Sequence, residues 1–200
     1  MFRPIIMIRS AINKIRLFVT LSRLHGVRSS FCLARNFLLR KMNFHFNDHS
    51  NQSIDPKLST GKVCVSILMP VFNTPPQVLR EAIESILLQT YTNWELCLCN
   101  DASTDIETLK VLSEYQGTDP RFKIIHSPKN LHIAAASNLA SQFATGGFIG
   151  LLDHDDTLEP NALELVVRAI EENAEADFFY TDEDKIDING VYSEPYYKPN

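Results

Sequence analysis

From Val63 onward the chain alternates between two kinds of apolar stretch, and that alternation limits the folds open to it. Val63-Cys64-Val65-Ser66-Ile67-Leu68-Met69 is a nearly continuous apolar run, the pattern of a strand buried on both faces of a parallel sheet. It ends at Pro70-Val71-Phe72-Asn73. Pro76 to Gln89 then repeats apolar residues at helical spacing (Val78, Leu79, Ala82, Ile83, Ile86, Leu87), with prolines at its start. Trp94 to Cys99 reads as a second strand, followed by the polar turn Asn100-Asp101-Ala102-Ser103-Thr104-Asp105 and a helix to about Tyr115. Phe122–His126 reads as a third strand and Ile133–Ala144 as a helix of small residues stopped by Gly146-Gly147. Phe148–Leu152 is a central strand, Leu163–Ile170 a helix and Asp177–Tyr180 a further strand. Strand and helix in alternation predict an α/β domain with a mainly parallel sheet. Right-handed crossovers put the strand ends on one edge, and ligands bind beyond those carboxyl ends.

The polar punctuation falls at those ends. Its densest part is Asp153-His154-Asp155-Asp156, three carboxylates within four positions directly after Leu151-Leu152. On an extended chain Asp153 and Asp155 point the same way. Like charges held that close repel unless a cation sits between them. Mg²⁺ or Mn²⁺ suits such oxygen ligands and commonly shares its shell with substrate phosphates. The plainer reading is an acidic loop before a helix, with Pro160 in the first helical position. There is no GxGxxG and no GxxxxGK[ST], so neither glycine-rich phosphate cradle is available. A metal is the natural replacement.

Charge divides the 200 residues into two parts. Residues 1–60 carry ten Lys/Arg against two Asp/Glu, a net of +8, while residues 61–200 carry nine against 22, a net of −13. An acidic domain is a poor partner for nucleic acid, whose phosphates need Lys and Arg. Residues 1–42 are expected to form a basic, partly helical arm, since Ile5, Ile8, Ile12, Ile15 and Val19 recur at helical spacing among Arg3, Arg9, Lys14, Arg16 and Arg23. Such an arm suits an anionic membrane face, or packing on the domain, or a leader. No uncharged run in it approaches the roughly 20 residues of a membrane span. Residues 43–61 read as a polar linker and 62–200 as the folded domain. Cys32, Cys64, Cys97 and Cys99 form no CxxC pair. Cys97 and Cys99 share one strand face and read as small core residues. No disulfide framework is visible, which fits a reducing, cytoplasmic setting, and the basic arm suits the inner face of the membrane.

Four motifs in order carry a resemblance. Val65-Ser66-Ile67-Leu68-Met69-Pro70-Val71-Phe72-Asn73, Ile86-Leu87-Leu88-Gln89-Thr90-Tyr91, Asn100-Asp101-Ala102-Ser103-Thr104-Asp105 and Asp153-His154-Asp155-Asp156 are similar to the successive signatures of family 2 glycosyltransferases. The resemblance runs from about Val63 to the end of the chain and implies a GT-A fold, a nucleotide-binding α/β sandwich. Tyr180-Thr181-Asp182-Glu183-Asp184-Lys185 resembles bacterial members that build surface polysaccharide, rhamnosyltransferase-like ones among them.

The resemblance implies roles. Pro70 and Phe72 would hold the nucleotide base, and Asp101 would accept the ring N–H of uracil or thymine. Asp153 would lie near the ribose. Asp155 would coordinate a divalent cation, Mn²⁺ or Mg²⁺, bridging the diphosphate. Asp156 orients its neighbour or caps the following helix. His132 and Asn138 fall in a segment that the family sets beside the nucleotide, where close relatives often have Gly at the position of Leu131. The implied reaction is a single inverting displacement of a UDP- or dTDP-sugar by an acceptor hydroxyl, saccharide or lipid-linked, with metal assistance to the leaving group and a carboxylate base. That base lies downstream in the family. Tyr196-Tyr197-Lys198-Pro199-Asn200 looks like family sequence cut off mid-motif, which would leave out the acceptor half. Asp182, Glu183 and Asp184 are the available carboxylates, and a hairpin with Asn189-Gly190 at its tip is their structural alternative. Two rival functions are a catalytically incomplete nucleotide-sugar-binding fragment and a sugar-1-phosphate nucleotidyltransferase. The second would need a glycine-rich, basic loop where Asn73-Thr74-Pro75-Pro76 stands.

Overall fold

The computed structural model describes residues 6–9, 62–186 and 192–197. Strands β1 (Ile6–Arg9), β2 (Val65–Val71), β3 (Trp94–Asn100), β4 (Phe122–His126), β5 (Phe148–Leu151) and β6 (Phe178–Tyr180) form one sheet in the order β4-β3-β2-β5-β1-β6. Strands β2 to β5 run parallel, and β1 lies antiparallel between β5 and β6. Helices α1 (Pro76–Leu87), α2 (Ile106–Tyr115), α3 (His132–Ser141) and α4 (Ala162–Glu172) connect them, and β7 (Glu183–Ile186) pairs with β8 (Tyr192–Tyr196) in a separate hairpin.

Alternation along β2 and β3 builds two cores from one sheet. Val65, Ile67, Met69, Val71, Leu96 and Leu98 pack under α1, α2 and α4. Leu68, Cys97, Cys99 and Ile149 face the other way onto Ala136 and Ala140 of α3. The small residues of α3 let it lie close to the sheet. Burial raises the Cys97 thiol to about 12 and the Cys99 thiol to about 11, so both are packing groups at neutral pH. Trp94 is buried at the start of β3, with the Arg121 guanidinium 3.7 Å above its ring.

The amino-terminal ends of the strands are tied by a buried polar cluster. Glu95 accepts hydrogen bonds from Ser66 Oγ (2.6 Å), Lys123 Nζ (2.6 Å), Thr145 N (2.5 Å) and Thr145 Oγ1 (2.8 Å). Ser66 Oγ in turn accepts the Gly146 N–H at 2.9 Å. That approach leaves no room for a side chain: a Cβ on Gly146 would stand 2.6 Å from the Cys64 carbonyl oxygen, whereas one on Gly147 would meet nothing within 4 Å.

Three expectations need correction. The helical arm meets a strand at its described residues Ile6–Arg9; there the backbone pairs with two neighbouring strands, which outweighs a local helical pattern. The remainder of the arm, the linker and the Asn189-Gly190 tip lie outside the described residues. The helix after the acidic cluster begins at Ala162, not Pro160, because the Pro160 carbonyl is taken by Thr90 N at 2.8 Å. Helix α3 ends at Ser141, ahead of the two glycines.

Burial alone would raise the Glu95 carboxyl, but the Lys123 ammonium and the Ser66 and Thr145 donors hold it at about 2, against an ordinary 4.5. A value lowered by folding adds stability above the unfolded value, and that stability is lost as pH falls toward the folded one. The urea midpoint is therefore expected to fall as pH drops from 4.5 toward about 2. Glu95→Gln should flatten that part of the profile. Midpoints measured against pH for both proteins check this.

Candidate functional site

Parallel pairing brings three strand ends to one edge. The Asp101 N–H donates to the Val71 carbonyl at 2.8 Å and the Leu152 N–H to the Leu68 carbonyl at 3.1 Å. The tips of β3 and β5 thus flank the tip of β2, with β3 and β5 about 10 Å apart at two strand spacings. Tyr180 of β6 and Leu151 of β5 both pair with Ile6 of β1, so β6 ends on the same edge and delivers Asp182, Glu183 and Asp184 there.

At the β5 tip the chain has already left the sheet. Asp153 to Asp156 form a turn, closed by the Asp156 N–H on the Asp153 carbonyl at 3.2 Å. The expectation that strand alternation aligns Asp153 with Asp155 is therefore replaced by a tighter grouping. Asp153, Asp155 and Asp156 each offer a carboxylate oxygen, all within 4.8 Å of one another. Asp155 is exposed, Asp153 half-buried and Asp156 buried. Three hard oxygen donors converging at one strand tip suit a divalent cation such as Mg²⁺ or Mn²⁺. His154 is not part of the cluster; its Nδ1 is buried with no hydrogen-bond partner among the described residues.

At the β3 tip Asp101 is 3% exposed. Its Oδ1 accepts the Leu131 N–H at 2.6 Å, which ties the loop before α3 to the β3 end. The residue that takes the backbone conformation favouring glycine is His132, at φ 61°, while Leu131 has φ −101°. Ala102, beside Asp101, is also left-handed at φ 58°. Left-handed backbone at non-glycine residues concentrates at functional sites. Pro70 is buried within β2, whereas Phe72 stands beyond its tip, 44% exposed.

Sequence reasoning gave Asn73 no role, yet it fastens the turn that carries Asp101. Its Oδ1 accepts the Thr104 N–H (2.8 Å) and the Asp105 N–H (2.9 Å), and its own N–H donates to Ser103 Oγ (3.0 Å). Asn100 accepts the Ser103 N–H at 3.0 Å and approaches His126 Nδ1 at 3.0 Å. An Asn following a strand tip was the visible signal. Beyond β6, the hairpin is fastened back to the site: Tyr192 donates to Glu159, just past the acidic turn, at 2.8 Å. That carboxylate raises the Tyr192 phenol above its usual range. Among the described residues no helix is long and apolar enough to cross a membrane.

The model of the family described as "Glycosyl transferase family 2" matches residues 66–196. Protein y4gI of Sinorhizobium fredii is 46% identical over 144 residues, 72% of this chain and 16% of its own length. The chondroitin synthase of Escherichia coli is 41% identical over 126 residues, 63% of this chain and 18% of its own. This chain therefore spans less than a fifth of either relative. Among solved structures, Staphylococcus aureus TarS 1-349 in complex with UDP-GlcNAc superposes with a TM-score of 0.51 at 24% identity, over 55% of this chain and 32% of that one. The mannosyltransferase PcManGT of Pyrobaculum calidifontis, in complex with GDP-Man and Mn²⁺, gives 0.50 at 19% identity over 80% of this chain and 44% of that one. Sheet order, strand-end carboxylates and the extent of the family match lead to one assignment: the chain belongs to glycosyl transferase family 2 and has its GT-A fold.

Proposed function

We propose that this chain is a metal-dependent, inverting glycosyltransferase of cell-surface polysaccharide synthesis. It would take a UDP- or dTDP-sugar and a saccharide or lipid-linked acceptor. One observation carries the reading: a carboxylate cluster within 4.8 Å at the β5 tip, one strand removed from the β3 tip that bears buried Asp101. The names of relatives support the substrate class. Among them are chondroitin synthases and a UDP-Glc-dependent β-1,3-glucosyltransferase of Escherichia coli, WfgD, 36% identical over 127 residues. The solved neighbours are complexes with UDP-GlcNAc and with GDP-Man and Mn²⁺.

In this reading Asp101 accepts the ring N–H of the base through the oxygen that does not hold Leu131, and Pro70 and Phe72 border the base. Asp153 faces the ribose. Asp155 holds the cation, with Asp156 beside it in the same turn. The cation, when bound, offsets the charge that develops on the departing nucleoside diphosphate. The residues of the chain bind the donor and fix its orientation. Asp182, Glu183 and Asp184 are the carboxylates that the topology offers to the donor sugar or the acceptor. The division into arm 1–42, linker 43–61 and domain 62–200 belongs to the same proposal. So does a cytoplasmic location, with the arm's cations against the anionic face of the membrane.

A second reading is a nucleotide-sugar-binding fragment without transfer activity. Sugar release or transfer by the 200-residue chain separates the two.

Titration calorimetry with UDP and Mn²⁺ tests the site. Asp155→Ala should abolish the Mn²⁺-dependent part of UDP binding; binding that still responds to Mn²⁺ rejects the metal assignment. Asp101→Asn keeps an acceptor for Leu131 but turns the other position into a donor. Removing a hydrogen bond to a charged acceptor costs about 1.5–3 kcal/mol, so uridine binding should weaken roughly ten- to a hundredfold. An unchanged uridine affinity removes Asp101 from the base site.

A further inference from the structure

The motif Ile86–Tyr91 has no part in the donor contacts above, yet its polar residues reach directly behind the acidic turn. The turn is pinned on both sides. In front, Leu152 is buried and its N–H is held by Leu68 of β2. Behind, two residues past Asp156, the buried Leu158 donates its N–H to Ser85 Oγ at 3.1 Å. Ser85 lies in α1 and its hydroxyl donates to the Ala82 carbonyl at 2.7 Å, so the oxygen that receives Leu158 has a fixed direction.

Gln89 extends the clamp. It is 5% exposed, and its amide uses both ends. Nε2 donates to the Glu159 carbonyl at 2.7 Å and to the Ser85 carbonyl at 3.0 Å, while Oε1 accepts the Leu163 N–H at 3.0 Å. Thr90 closes the row with its N–H on the Pro160 carbonyl and its hydroxyl on Glu164 at 2.7 Å. Backbone groups of four residues from Leu158 to Leu163 are thereby satisfied from the carboxyl end of α1 and the residues just after it, across 70 to 74 residues of chain. A loop that only needed burial would not need a buried amide with every polar atom committed.

We infer that Ser85 and Gln89 are positioning residues for the acidic turn, fixing the spacing of Asp153, Asp155 and Asp156 from behind. The inference rests on the reading of that turn as a metal–diphosphate site. Ligand spacing decides affinity for a small hard cation, and groups that orient ligands typically account for about ten- to a hundredfold in metal affinity.

The test uses the full 200-residue chain with Ser85→Ala and Gln89→Met. Mn²⁺ binding in the presence of UDP is followed by electron paramagnetic resonance, and metal-free uridine binding by calorimetry. Both variants are expected to lose about tenfold in Mn²⁺ affinity, with uridine affinity within about twofold of the unmodified chain. That split is one that general loosening of the fold does not produce. Should Gln89→Met lose its folded circular dichroism, Ser85→Ala, which removes one hydroxyl from a helix, decides alone. Unchanged Mn²⁺ affinity, or equal losses for Mn²⁺ and uridine, overturns this inference while the site reading stands. Absence of Mn²⁺-dependent UDP binding in the unmodified chain overturns both.

Discussion

The pairing of β2 with β3 on one side and β5 on the other is the constraint on which the rest of the molecule depends. Both ladders are parallel, so the three chains leave the sheet on the same side and the polar turns that follow are neighbours. Every residue of β2 is buried, and none of it can shift by one position without turning Ser66 into the α1 face and Met69 out of it. Asp101 and Asp153 owe their proximity to that register. They are 52 positions apart in sequence, and no local pattern connects them.

The opposite edge of the sheet explains why the register holds. Glu95 is a buried carboxylate, and an isolated one would be strongly unfavourable. Here it takes four hydrogen bonds from three residues of β2, β4 and the α3–β5 loop. Each partner is specific to one alignment of the strands. The polar cluster at one end and the ligand edge at the other are joined by strands only seven residues long. Polar satisfaction at the closed end therefore carries through as geometry at the open end.

Most of this architecture was legible because buried parallel strands and amphipathic helices leave different periods in the sequence. The core strands, the placement of Cys97 and Cys99 on one strand face, and the acidic cluster after Leu152 all follow from local patterns. What was not legible depends on partners far along the chain. Ile6–Arg9 reads locally as part of a helix and is a strand only because β5 and β6 leave a place for it. The tight turn at Asp153–Asp156 was hidden because alternation assumes an extended backbone. Pro160 looks like a helix start until Thr90 claims its carbonyl. Asn73 and Gln89 were conspicuous only as polar residues in motifs; the backbone groups they hold lie some 30 and 70 positions away.

Gly146 and Gly147 are chemically identical neighbours with opposite histories open to them. Any side chain at the first would push against the Cys64 carbonyl and the Ser66 hydroxyl, while the second faces empty space. Drift among descendants of this chain can therefore use position 147 freely but is barred from 146. A purifying signal at one codon beside neutrality at the next would come from a carbonyl oxygen just before β2, with no involvement of substrate.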